Sequence, residues 1–72
     1  MLERIIMNPK INLGKPTISG TRITVEHILD LFAQWHSTSD ILHEYPNLKE
    51  DDIHAIFTFS AKFINNEELT YT

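Results

Sequence analysis

The side chains able to do chemistry are few, and their spacing excludes most of what they could do. Histidine is the usual general base and metal ligand, and the chain has four, at positions 27, 36, 43 and 54. They form no i, i+4 pair and no His-Glu-x-x-His, so nothing sets two imidazoles on one helical face at ligand distance, and no metal site is expected. Ser19, Ser37, Ser39 and Ser60 have no base placed beside them to activate a hydroxyl. Glu50, Asp51 and Asp52 stand on successive positions, so on a helix they spread around the axis instead of converging on a magnesium ion. They suit the start of a helix, where negative charge opposes the positive end of the dipole. The expectation is a protein with no catalytic residues and no cofactor.

The glycine-flanked segment Gly14-Lys15-Pro16-Thr17-Ile18-Ser19-Gly20-Thr21-Arg22 offers a different chemistry. Glycine-rich loops cradle phosphate when their N–H groups converge at a helix start, but here a strand-like piece precedes the helix, which is not a nucleotide-binding order. Two readings stay open. In one, Gly14 and Gly20 shape turns and Arg22 pairs with an acid, Glu44 or Glu26. In the other, Lys15 and Arg22 meet DNA phosphates from a basic arm, as point charge and planar fork.

Charge bears on that choice. A net charge of −4 argues against indiscriminate coating of nucleic acid, which needs a basic face. The balance is uneven, however. Residues 1–25 hold Arg4, Lys10, Lys15 and Arg22 against Glu3 alone, whereas residues 26–72 hold Lys49 and Lys62 against nine acids. Seventy-two residues make a single domain, since a chain this short buries only about 60% of its unfolded surface. Without cysteine it has neither disulfide nor thiolate–zinc staple, so association with a second copy or a partner is the expected substitute. No stretch approaches the roughly 20 apolar residues of a membrane span, and no signal-peptide pattern opens the chain, so a cytoplasmic setting is expected.

The elements that must position these residues follow from periodicity. Arg4–Met7 and Arg22–Val25 are short β-prone pieces, and they predict a strand pair within an N-terminal arm, residues 1–24. Val25, Ile28, Leu29, Phe32 and Trp35 make one stripe of a helix over 25–35, with Thr24 as N-cap and Trp35 in the core. A second helix starts after Ser37, with Asp40 completing a shortened capping box, and ends at Pro46. A third spans 50–65, with Ile53, Ile56, Phe57, Ser60, Phe63 and Ile64 facing inward and Leu48 stapling to Ile53. Residues 25–65 thus form a three-helix core and 66–72 a short acidic tail carrying Leu69 and Tyr71. The fold expected is mainly α, with a short helix followed by a longer one as in helix-turn-helix modules.

In that architecture the third helix is the recognition helix, with Asp51, Asp52, His54, Ala55, Thr58, Phe59, Lys62 and Asn65 outward. His54, Thr58 and Lys62 are its candidate base readers, although the acidic first turn would repel DNA phosphates. Phe59, off the inward stripe and beside Ala55, is expected on a subunit or partner interface. Ile5, on a two-stranded ribbon with open edges, offers a second contact.

The run from Gly14 to Val25 resembles the opening motif of the bacterial and archaeal family called domain of unknown function 433: Gly-Lys-Pro, a hydrophobic residue, then Gly-Thr-Arg-Ile and a helix. Gly14, Lys15, Pro16, Gly20, Thr21 and Arg22 carry the match. It continues through Ser37–Leu42, the Tyr45-Pro46-Asn47-Leu48 turn and Asp51–Ala55. The resemblance implies a homeodomain-like helix-turn-helix fold and an antitoxin role, in which a homodimer sequesters a PIN-like ribonuclease toxin and represses its own operator DNA. The chain departs from the family pattern in three places. Trp35 stands where a glycine usually ends the first helix, so the left-handed cap expected there should not form in the usual way. Lys49 replaces the Ser or Thr that would cap the third helix, and Phe57 and Phe59 replace smaller residues or tyrosine.

Overall fold

The computed structural model describes residues 4–65, and the acidic tail expected at 66–72 lies outside them. In chain order it contains β1 (Ile5–Ile6), a 3-10 turn at Asn12–Gly14, β2 (Thr17–Ile18), α1 (Val25–Ala33), α2 (Thr38–Glu44) and α3 (Glu50–Asn65). Three helices and one antiparallel pair of short strands make the mainly helical domain that periodicity predicted.

The second strand lies earlier than expected. β1 pairs with β2 in the register Ile5 to Ile18 and Ile6 to Thr17, and residues 22–25 contribute only a bridge between Thr24 and Thr17. The cause is the start of α1. Val25 is already helical and Thr24 must cap it, accepting the His27 N–H at 3.0 Å, so no length remains for a strand. The segment instead docks on β2 through Ile18 N–H to the Ile23 carbonyl and Val25 N–H to the Pro16 carbonyl, each 2.9 Å.

α1 ends two residues before the expected boundary, and its ending corrects the reading of Trp35. Trp35 takes the left-handed conformation itself, with φ +71°. Its N–H donates to the Phe32 carbonyl and that of His36 to the Leu31 carbonyl, at 3.0 and 3.1 Å, which completes a Schellman cap without glycine. Turning the chain there swings the indole out of the apolar stripe, and Trp35 is 94% exposed instead of buried.

α2 is built as its sequence predicts. The Ser37 hydroxyl accepts the Asp40 N–H and the Asp40 carboxylate accepts the Ser37 N–H, both at 3.0 Å. The Ser37 N–H, followed by the hydroxyl, holds the Asp40 carboxyl below its ordinary value. After α2, Tyr45-Pro46-Asn47-Leu48 closes a turn through Leu48 N–H to the Tyr45 carbonyl, and Leu48 enters the core.

That core consists of Ile18, Val25, Ile28, Ile41, Leu48, Ile53 and Ile56. Leu48 and Ile53 both belong to it, as the staple requires. From Phe57 onward α3 departs from expectation. Phe57, Phe63 and Ile64 are exposed, whereas Phe59, expected outside, is half-buried against the core. At 1.5 Å per residue α3 runs about 24 Å, against about 14 Å for α1 and about 11 Å for α2, so neither shorter helix can cover it along its whole length.

Candidate functional site

The glycine-flanked motif is a scaffold, and each of its unusual residues has a local task. Gly20 occupies the third position of the turn closed by Thr21 N–H to the Ile18 carbonyl, with φ +81°, a conformation that side chains disfavour. Thr21 locks this turn, since its hydroxyl donates to the Ile18 carbonyl at 2.8 Å and accepts the Ile23 N–H at 2.9 Å. Thr17 is buried, donating to the Lys15 carbonyl and accepting from Asn12 Nδ2. Pro16 supplies the carbonyl that anchors Val25 at the head of α1. Asn12, Leu13 and Gly14 are all left-handed, which makes the short 3-10 turn a reversal in the chain.

The two motif cations stay on the surface but are not equivalent. Lys15 Nζ lies 3.5 Å from Glu26 Oε1 across the head of α1. The Glu26 partner expected for Arg22 therefore goes to Lys15. Arg22 is exposed, and its carbonyl accepts from Asn12 Nδ2 at 3.0 Å.

A cation–carboxylate clamp that sequence reasoning missed joins the arm to α3. Arg4 Nη1 donates to Asp52 Oδ1 at 2.8 Å, and Nη2 reaches Asp51 Oδ2 at 3.5 Å. Asp52 was expected outward; it is 7% exposed. Its other oxygen accepts the Lys49 N–H at 2.9 Å, the half of a capping box that comes from the third helical residue; the half that a Ser or Thr hydroxyl would add is not available to the Lys49 ammonium. The only sequence signal was the acid three positions after the cap; its pairing across 48 residues leaves no local trace.

Along α3, His54, Thr58 and Lys62 are all exposed, at the i, i+4, i+8 spacing of one helical stripe. Ala55 is half-buried on the neighbouring side, and Ile5 is half-buried against the core. Phe59 stands one turn after Ala55, and its ring stacks on Phe63 with centroids 6.3 Å apart. Acidic side chains accompany the cations of the arm and the head of α3. Arg4 is spent on acids, Lys15 faces Glu26, and the first turn of α3 carries exposed Glu50 and Asp51.

Two surfaces are left by this geometry. At one end, α1 and α2 enclose an open cleft lined by His27, His36, Asp40, His43, Glu44 and Tyr45, with His27 Nε2 and the Tyr45 hydroxyl hydrogen-bonded at 2.8 Å. No group of these residues is arranged to hold a metal ion among the described residues. Trp35 lies immediately before this cleft's His36, and Phe57 packs on Phe32 at 5.2 Å while remaining 47% exposed. At the other, Pro16, Val25 and Leu29 face Phe59, Phe63 and Ile64 across an apolar groove rimmed by Lys15 and Glu26. The Ser60 hydroxyl is buried on this groove with no hydrogen-bond partner among the described residues.

A two-stranded arm strapped to three helices, with a short second helix turning into a long third, defines a small, mainly helical domain of helix-turn-helix type. The chain belongs to the family described as protein of unknown function DUF433, whose model matches residues 5–60. No curated protein and no solved structure matches it. No described helix is long and apolar enough to cross a membrane.

Proposed function

We propose that this is a cytoplasmic, antitoxin-like protein that acts as a dimer and binds a PIN-like ribonuclease. The observation that carries the reading is Trp35, 94% exposed on a backbone conformation that disfavours every residue but glycine. An exposed indole at a strained cap does nothing for the isolated fold, and tryptophan is among the residues most enriched at the energetic centres of protein interfaces. The acidic balance of residues 26–72 complements a basic, RNA-binding partner.

The test is to read the neighbouring reading frames for a PIN-like ribonuclease and to co-express any found there with this chain, followed by affinity measurement and an RNA cleavage assay; neighbouring frames that encode none also count against the proposal. The complex should inhibit cleavage, and Trp35→Ala should weaken binding by about 30-fold, the loss typical of a central anchor of about 2 kcal/mol. A nuclease that neither binds nor is inhibited, or that binds the variant equally well, ends the proposal.

A second reading, a free-standing DNA-binding regulator, is supported by exposed Arg22 and by the stripe of His54, Thr58 and Lys62. It requires a salt-sensitive shift of upstream DNA that Arg22→Ala weakens. The acidic start of α3 counts against it.

A further inference from the structure

We infer that the apolar groove between the head of α1 and the last turns of α3 is where two copies of this chain meet about a twofold axis, with Lys15 of each copy facing Glu26 of the other. The inference rests on the dimeric part of the functional reading above and assigns it a surface.

The floor of the groove requires a cover. Phe63 and Ile64 are 56% and 76% exposed, and they stand beside Pro16, Leu29 and half-buried Phe59, so the patch is continuous across two helices and the loop before α1. Among the described residues only the head of α1, the loop before it and α3 line the groove.

Charge selects the occupant. A twofold axis maps a patch onto itself, so every rim charge must find its opposite within the same patch. This rim meets that condition, since it carries one cation and one anion, Lys15 and Glu26, already 3.5 Å apart and with side chains 58% and 76% exposed. Exchange of partners across the axis keeps both pairs and brings the apolar floors together. A strongly basic partner would meet Lys15, and a nucleic acid would meet Glu26 and an apolar floor. The rest of the chain is acidic, so two copies at −4 each repel generally and approach best where the rim is locally neutral.

The experiment is sedimentation of the full chain over a concentration series, with variants at the rim and floor. The unaltered chain should dimerise. Lys15→Glu and Glu26→Lys, both at exposed positions, should each weaken the dimer at least about tenfold, because either one places like charges face to face. An equimolar mixture of the two variants should recover the original association, since only the heterodimer restores both opposed pairs. Phe63→Ser should give monomers with an unchanged circular dichroism spectrum.

A chain that is monomeric at every accessible concentration overturns the inference. So does a mixture no tighter than its components, or a dimer indifferent to Phe63→Ser. A monomer that still captures the PIN-like protein removes this interface alone. A groove dimer that captures no nuclease removes the antitoxin reading alone.

Discussion

The two halves of α3 are built on opposite principles. Its first two turns are sealed: Asp52 caps the helix and grips Arg4, while Ile53 and Ile56 are 4% and 0% exposed. Its last two turns are open, with Phe63 and Ile64 in solvent and the Ser60 hydroxyl unpartnered among the described residues. The difference teaches that one helix can carry the fold with one end and leave an apolar face open at the other.

Substitutions can break this contrast. Asp52→Ala should have the largest effect, destabilising the domain by about 1–2 kcal/mol in urea denaturation, because it removes the acceptor of the Lys49 N–H and the closer carboxylate of the Arg4 pair. An effect below about 0.5 kcal/mol would mean that the sealed end is no tighter than the open one. Trp35→Gly should stabilise by about 1 kcal/mol, since glycine adopts the left-handed cap without strain and the exposed indole gives up little packing. A lower thermal midpoint would show that the indole supports the turn.

Smaller effects sharpen the comparison within the open half. Ser60→Ala should raise stability by about 0.5–1 kcal/mol by removing a buried hydroxyl that makes no hydrogen bond. Phe63→Ser, followed at concentrations low enough to hold the chain as a monomer, should change stability by less than about 0.5 kcal/mol. A loss of several kcal/mol would place Phe63 in the core after all.

The smallest effect concerns α2. Because the Ser37 N–H holds the Asp40 carboxyl below its ordinary value, the capping box is fully stabilising above the unfolded value, about pH 3.9. Its contribution disappears as pH falls through the lower folded value. Side-chain titration by NMR should follow this, and Asp40→Asn should abolish it.

Much of this fold was legible in the sequence, for identifiable reasons. Ser37 with Asp40, Pro46 after Tyr45, and Leu48 with Ile53 are signals within a few residues of the structure they specify, and each formed as expected. The failures needed non-local information. Periodicity groups Phe57, Phe63 and Ile64 on one side of α3, but only the way α1 and the loop before it pack on that side decides how much of it is covered. The strand role of Thr17-Ile18 went unseen because glycine and proline surround it. Trp35 kept the spacing of the apolar stripe while the backbone beneath it had already turned. At the candidate contact surfaces, residue types were informative and placement was not: Phe59 proved half-buried and its neighbour Phe63 open.

The Arg4–Asp52 clamp also orders events in time. Its partners lie 48 residues apart, and closing so long a loop is entropically costly until the intervening helices are in place. During synthesis the arm can pair with β2 as soon as residue 18 is available, but it must wait for the head of α3 before Arg4 finds its acid. The last lock to close thus joins the arm to the last of the three helices.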